Sequence, residues 1–322
     1  MRQLESVLIC GAGAVGSSYA ARFHELDPGR VALVASGERR ARLERQGLTV
    51  NGRSFHVRCV GPPEQGAPAD VVFVAVKQHH LAEAIEDLRP FVGGETLLLS
   101  LLNGVTSEAI LGRALGAENV LPAFVLGNDV VREGTTTRFT SMGRLVFGAP
   151  SNDRSDPRVL AVCALLERAG IAYQVPDDIR REQWWKFVLN VGVNQVSAVL
   201  RATYGDFRDV PEVFDLARRA ALEAVEVARR EGVPLAPGDL DAIPPILARL
   251  GAEGKTSMLQ DVEAGRKTEV EIFAATVCEL GRRHGVDTPV NELLGAMLRA
   301  LEAMARRGGA GERSEGSSRH GL

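Results

Sequence analysis

The chain has little cysteine, few aromatic residues, no long apolar run and no excess of either charge. Each absence removes a class of protein. The four cysteines, Cys10, Cys59, Cys163 and Cys278, lie far apart and form no Cys-x-x-Cys pair. That spacing excludes a disulfide scaffold or a zinc ribbon. Apolar neighbours predict buried thiols in a reducing compartment. The apolar stretches near 71–76 and 97–102 fall well short of the roughly 18 residues that a membrane span needs. Basic and acidic residues number 38 and 41, a net charge of −3, so no global field favours nucleic acid. No basic-then-apolar leader precedes the first glycines, and the expectation is a cytoplasmic protein without a membrane or nucleic-acid partner. His79 and His80 are adjacent rather than four apart, and no carboxylate–histidine constellation surrounds them, so no metal is expected. They read as a surface pair at a helix start.

What remains is 322 residues, 45% hydrophobic and 25% charged, enough to build two cores without covalent support. The first half alternates short β-branched runs with helical patterns. Apolar runs at 7–9, 31–34, 71–76, 96–102 and 120–126 suit parallel strands buried on both faces. Helices are expected at 14–26, from about 38, and at 156–169. Such alternation implies a doubly wound parallel sheet. Two segments interrupt it. Asn51-Gly52 signals a hairpin within 48–60, and the Thr- and Gly-rich 132–147 reads as antiparallel strands. A short strand is expected at 172–175. From 179 onward helical periodicity dominates, with helices expected at 180–202, 211–231, 238–250, 257–264, 269–284 and 291–306. The fold class is therefore α/β: a doubly wound parallel sheet over 1–178, an all-helical domain over 179–307 and a disordered, Gly/Ser-rich tail over 308–322.

Gly11-Ala12-Gly13-Ala14-Val15-Gly16 follows the first strand directly and opens a helix. The first glycine permits a tight turn, the second lets backbone approach a pyrophosphate, and the third lets helix pack on strand. The free amides and dipole of the helix N-terminus favour the phosphates. An NAD site usually carries an acid at the end of the second strand. Here that end reads Ala35-Ser36-Gly37-Glu38-Arg39-Arg40, with a hydroxyl and two arginines and no carboxylate at the tip. This favours NADP(H), with Ser36 and Arg39 or Arg40 near a 2′-phosphate. The plainer alternative is that both arginines form the solvated face of a helix.

Lys186, Asn190 and Asn194 are spaced i, i+4, i+8 in an otherwise apolar segment with Trp184, Phe187 and Leu189. On a helix they share one face. Burying such groups without partners costs free energy, so a wet cleft fits better than a dry core. A lysine there is able to donate a proton to a developing alkoxide, and asparagines are able to bind carboxylate and hydroxyl oxygens. A second cluster runs from Thr256-Ser257-Met258-Leu259-Gln260-Asp261 to Arg266-Lys267-Thr268-Glu269. By pattern alone, Ser257-x-x-Gln260 and Thr268-x-x-Glu271 also read as capping boxes.

Taken in order, these motifs resemble the ketopantoate reductase family. The resemblance spans the glycine loop to about residue 284. It includes Lys77 after the third apolar run, Asn103-Gly104, Lys186-x3-Asn190-x3-Asn194, and Ser257-Met258-Leu259-x-Asp261 followed by Arg266-x-Thr268-Glu269. It implies a Rossmann-type domain joined to a helical one, with NADP(H) on Gly11 to Gly16, Ser36, Arg39, Lys77, Asn103 and Glu269. It implies Lys186 as general acid with Glu269 as its charged partner. It implies Asn190, Asn194, Ser257 and Asn103 as substrate-binding groups. For Lys77 alone, a strand-end surface lysine is the plainer reading. Two departures stand out. Ser36 occupies a position where many members carry arginine, which leaves the 2′-phosphate to Arg39 or Arg40 or relaxes the preference. Leu102 occupies the place of a usual glutamine. The implied activity is NADPH-dependent reduction of 2-dehydropantoate (ketopantoate) to pantoate in pantothenate (vitamin B5) biosynthesis. The rivals are a related reductase of another small 2-oxo acid and a non-catalytic NADP-sensing protein. The helical half is able to support a homodimer but shows no decisive stripe.

Overall fold

The computed structural model describes residues 2–62 and 66–315. By its internal contacts the chain divides into two compact units, Met1–Gln183 and Trp184–Leu322.

In the first unit, β1 (Val7–Cys10) leads into α1 (Ala14–Leu26), β2 (Val31–Val34) and α2 (Gly37–Gln46). The hairpin β3 (Leu48–Val50) and β4 (Arg53–Phe55) follows, then β5 (Arg58–Val60) and β6 (Val71–Val74). Next come α3 (Leu81–Leu88), β7 (Leu97–Ser100), α4 (Ser107–Leu115), β8 (Val120–Leu121) and β9 (Ala123–Asn128). The unit is completed by β10 (Val131–Glu133), β11 (Thr136–Arg138), β12 (Met142–Phe147), α5 (Pro157–Arg168) and β13 (Tyr173–Gln174).

The main sheet has six strands in the order β5-β2-β1-β6-β7-β8, every neighbouring pair parallel. The strand order reverses between β1 and β6, which is where such sheets bind ligands beyond the strand ends. The alternation of side chains decides which face each residue serves. Val7 and Ile9 join a core with Tyr19, Phe23 and Phe73, whereas Leu8 and Cys10 join a second core with Val72, Val74, Leu81 and Ile85. Rings of Tyr19 and Phe23 pack against Phe73 at 5.7 and 5.3 Å, which seats α1 on the first face. Both faces are covered, which is why the strands read as unbroken apolar runs.

The expected hairpin forms, with Leu48 opposite Phe55. It belongs to a side sheet in the order β10-β11-β3-β4, in which β11 runs parallel to β3. The run at 120–126 is not one strand. Pro122 has no amide proton to give a ladder. The chain there leaves the main sheet after β8 and enters a three-stranded sheet, β13-β12-β9.

The second unit is helical. Its first long helix, α6 (Ile179–Leu200), begins in the first unit. It is followed by α7 (Asp206–Asp209), α8 (Pro211–Arg230), α9 (Ile243–Ala248), α10 (Ser257–Glu263), a π-helical turn at Glu271–Ala275, α11 (Thr276–His284) and α12 (Pro289–Glu315). The short α7 and the π turn were not apparent in the sequence, and 238–250 is a 3₁₀ turn (Pro237–Ala242) followed by α9 rather than one helix. Part of the expected disordered tail, 308–315, lies within α12, and 316–322 lie outside the described residues. A buried polar chain joins three helices. Gln195 Nε2 donates to Asn291 Oδ1 at 2.9 Å, and Asn291 Nδ2 donates to Glu223 Oε2 at 2.7 Å and to the Ala220 carbonyl at 3.0 Å. Glu223 also accepts the Val290 and Asn291 amides at the start of α12, satisfying donors that no helical carbonyl reaches.

Candidate active site

The glycine loop sits at the reversal of strand order. The Ala75 amide after β6 donates to the Cys10 carbonyl at 2.7 Å, so the two strand ends hold each other. Gly11 has φ +103°, and a side chain there would place Cβ 2.6 Å from the Ala75 carbonyl oxygen. A Cβ on Gly16 would lie 1.8 Å from the Gly11 carbonyl oxygen, so α1 can approach β1 only without one. Gly13 differs: it is exposed, and nothing lies nearer to its would-be Cβ than the Ala75 oxygen at 3.8 Å. The open side of Gly13 is therefore space for a ligand rather than for the fold. No acidic residue occupies the first turn of α1, so its free amides, beginning at Ala14, face no competing carboxylate of their own helix. Ala12, Ala14 and Val15 are half-buried along this edge. A dinucleotide's pyrophosphate fits this cradle.

At the tip of β2 the structure corrects the sequence reading. The segment itself puts no carboxylate at the strand tip, yet Ser36, which opens α2, donates its hydroxyl to Asp87 Oδ2 at 3.0 Å. The acid arrives from α3. Arg39 is half-buried and has no carboxylate partner among the described residues, whereas Arg40 pairs with Glu44 at 2.8 Å.

Lys77 and Asn103 follow the neighbouring strands β6 and β7, and both are half-buried. Lys77 precedes the 3₁₀ turn Gln78–His80 and accepts the His80 amide on its carbonyl. His79 is exposed and His80 half-buried, in keeping with a pair at a helix start. The loop carrying Asn103 is pinned at both ends. Ser100 and Ser107 share a 2.7 Å hydrogen bond, and the Leu102 amide donates to Ser100 Oγ at 3.3 Å. Ser107 in turn donates to Glu108, which also accepts from Gln183 Nε2 at 2.6 Å. Burial pushes the Glu108 carboxyl above the usual range, against those two hydrogen bonds. The first unit thus gathers Gly11–Gly16, Ser36, Arg39, Lys77 and Asn103 at the carboxyl ends of β1, β2, β6 and β7. Nothing in the sequence pointed to Asp87 or Glu108.

In the second unit the stripe is visible as burial. Phe187, Val188, Val191, Gly192, Val193 and Gln195 are buried, whereas Lys186, Asn190 and Asn194 are each half-exposed. The Phe187 ring lies 6.3 Å from that of Phe273 in the π turn. Glu269, just before that turn, is 8% exposed, and its carbonyl accepts the Ile272 and Phe273 amides. Such π turns interrupt helices most often at functional positions. The α10 cap belongs to Thr256 rather than Ser257. Thr256 Oγ1 accepts the Leu259 amide at 3.1 Å and donates to Ser197 Oγ at 3.0 Å, which ties α10 to α6. Ser257 is left exposed at the first position of the helix. Thr268 forms no box with Glu271: its hydroxyl donates to Glu302 at 2.6 Å, and Glu271 accepts from Arg299 at 3.1 Å.

Of the four cysteines, Cys163 is half-buried rather than buried. Among the described residues no group of three or more His, Cys, Asp or Glu side chains is able to hold a metal ion. No helix there is long and apolar enough to cross a membrane.

A six-stranded parallel sheet with a glycine cradle at its reversal point, followed by a helical unit with a half-exposed Lys-Asn-Asn stripe, defines a dinucleotide-dependent oxidoreductase. Comparison with known proteins gives the family. Residues 7–152 match the family model "Ketopantoate reductase PanE/ApbA", and residues 178–302 match its C-terminal companion. The chain is 30% identical to a 2-dehydropantoate 2-reductase of Mesorhizobium japonicum, over 92% of this chain and 97% of that one. It is 29% identical to a 2-dehydropantoate 2-reductase of Archaeoglobus fulgidus, over 94% and 99% of the two chains. The solved 2-dehydropantoate 2-reductase of Geobacter metallireducens superposes with a TM-score of 0.80 at 28% identity, covering 92% of this chain and 99% of that one. A D-mandelate dehydrogenase solved with NADH shares the fold, with a TM-score of 0.82 at 21% identity over 94% and 99% of the two chains. The chain belongs to the ketopantoate reductase family, an oxidoreductase family that uses a nicotinamide cofactor.

Proposed function

We propose that the protein reduces 2-dehydropantoate to pantoate with NADPH, as the reductive step of pantothenate biosynthesis in the cytoplasm. One observation carries the reading most: three polar side chains, Lys186, Asn190 and Asn194, are half-exposed on one face of a helix in which Phe187, Val188, Val191, Gly192, Val193 and Gln195 are buried. A row of groups that is neither sunk in the core nor spread over the surface suits a substrate with a ketone, a carboxylate and a hydroxyl.

The bound nicotinamide supplies the hydride. Lys186 holds a proton on Nζ and delivers it to the ketone oxygen, and its charge stabilises the alkoxide as it forms. Glu269 orients the ammonium and offsets its charge. Asn190 and Asn194 each offer an amide N–H pair and a carbonyl oxygen, which suits the carboxylate and the hydroxyl of the substrate. Ser257 adds a hydroxyl from the start of α10. In the first unit Asn103, on its pinned loop, would lie near the nicotinamide and the substrate. Arg39 and Lys77 would hold phosphate or ribose oxygens, and Gly11 to Gly16 would hold the pyrophosphate.

Asp87 favours a second cofactor reading. A carboxylate within 3.0 Å of Ser36 Oγ repels a 2′-phosphate and suits a free ribose diol, so NADH competes with NADPH at this site. The test is oxidation of NADPH and of NADH followed by absorbance, with 2-dehydropantoate set against pyruvate, 2-oxoisovalerate and oxaloacetate. Turnover of 2-dehydropantoate well above the others supports the reading. Faster turnover of another oxo acid moves the substrate within the class. Cofactor binding with no turnover of any oxo acid leaves a nucleotide-sensing protein.

A further inference from the structure

One cation in the first unit has no part in the site as described. Arg132, on β10 of the side sheet, reaches across 119 residues of sequence to the first turn of α1. Its Nη1 donates to Ser17 Oγ at 2.7 Å and to the Gly13 carbonyl at 3.4 Å, and its Nε donates to the Gly134 carbonyl at 2.8 Å. Ser17 completes the arrangement by donating its own hydroxyl to the Ala12 carbonyl at 3.1 Å. The guanidinium is half-buried and, among the described residues, meets only neutral oxygens. Its Nη2 has no partner among them, and no carboxylate pairs with it. The charge that acts on it is another arginine, Arg42 of α2. Burial and Arg42 both disfavour the cationic form.

A half-buried cation without a counter-ion, beside a like charge, is costly unless an anion joins it. Two of its fixed contacts are at Gly13 and Ser17, in the first turn of the helix that the glycine loop opens. We infer that Arg132 is a binding residue for the cofactor's pyrophosphate, a cation delivered by the side sheet to a loop that otherwise offers only backbone amides. Three contacts to neutral oxygens hold the guanidinium plane in place and leave Nη2 for a phosphate oxygen. This also gives the side sheet a purpose in the binding of the dinucleotide. The inference rests on the dinucleotide reading and is independent of which oxo acid is reduced.

The test is the dissociation constant of NADPH and of NADH, from quenching of intrinsic fluorescence, for the wild-type protein, Arg132→Met and Arg138→Met. Arg138 is exposed on the neighbouring strand and serves as the surface-charge control. Loss of a charge-assisted contact to phosphate is expected to weaken both dinucleotides by about 10- to 100-fold, to a similar extent, while Arg138→Met changes either by less than about threefold. Weakening of NADPH alone would assign Arg132 to the 2′-phosphate and overturn the inference. Unchanged binding of both would also overturn it, leaving Arg132 as a tether of the side sheet. Should Arg132→Met fail to fold, Arg132→Lys, which keeps the charge but loses the planar fork, is expected to weaken both several-fold, and no weakening overturns the inference. A wild-type protein that binds neither dinucleotide would refute the proposed function instead.

Discussion

Two glycines of the cofactor loop differ in what surrounds them, and that difference separates folding from binding. At Gly16 an added Cβ would meet the Gly11 carbonyl oxygen at 1.8 Å, with Ala75 Cβ at 3.2 Å on the other side. The first contact is with backbone at the end of β1, so no side chain can swing away to relieve it. Opening the strand–helix contact by more than an ångström disturbs the Tyr19 and Phe23 packing on Phe73. Overpacking of this kind costs at least about 3 kcal/mol. A unit of this size loses about 2–4 °C of Tm per kcal/mol, so Gly16→Ala is expected to fall by about 6–12 °C or more. At Gly13 the nearest atom is 3.8 Å away and φ is −74°, a value that alanine adopts freely. Its only structural cost is the exchange of a good helix cap for a poor one, about 1 kcal/mol or about 2–4 °C. Its methyl group, however, fills the side left open for the pyrophosphate, which should weaken NADPH by about 10- to 100-fold. The assays are thermal unfolding without cofactor and a binding titration with it. Gly13→Ala should separate the two readouts and Gly16→Ala should lose both. A Gly13→Ala protein that binds NADPH normally, or a Gly16→Ala protein as stable as the parent, would refute the reasoning.

Other consequences are as direct. Lys186→Ala should lower kcat by about 100- to 10,000-fold with cofactor affinity retained, and Lys186→Gln should not restore it, because an amide holds no proton to give; near-normal turnover by either variant removes the lysine from the chemistry. Asp87→Asn removes the carboxylate facing Ser36 and should shift the NADPH:NADH ratio of kcat/KM toward NADPH by about tenfold; an unchanged ratio would mean that the acid only braces Ser36. Glu108 has its pKa raised by burial, so its protonated form is the one the fold prefers. Its stabilising effect is complete below the ordinary glutamate range near about 4.3 and is lost as pH rises through the elevated value. Glu108→Gln should therefore gain stability over the parent as pH rises above the ordinary glutamate range in urea unfolding, and a gap that does not change with pH would contradict this.

Most of the architecture was legible because the sheet is buried on both faces and the helices on one. Runs such as Val71–Val74 announce themselves when no solvent face interrupts them. The stripe on α6 was legible for the opposite reason, since polar residues stand out when the remaining positions must be apolar. Pro122 carried a readable signal, and a break at 122 follows from its missing amide proton. Asp87 and Arg132 were not legible. Each acts 51 or 119 residues away from its partner, through a helix face or a strand whose placement depends on the assembled sheet. Ser36 was read from its neighbours in the chain, which place no acid at the strand tip, whereas its neighbour in space, Asp87, does. The Thr256 cap was missed because Ser257-x-x-Gln260 satisfies the same pattern one residue later.

The parallel pairing of β11 with β3 carries a consequence for the order in which the protein is made. The glycine loop is synthesised well before the strands that bring Arg132 to it. At about 5–20 residues per second, the 119 residues between Gly13 and Arg132 take on the order of 6–24 s to synthesise. Within that interval, once β6 and Ala75 have been made to brace the loop, the nascent sheet can hold a nucleotide cradle with its amides in place and without the guanidinium. A dinucleotide present during synthesis meets a weaker cradle first, and a tighter one only after β11 has found β3.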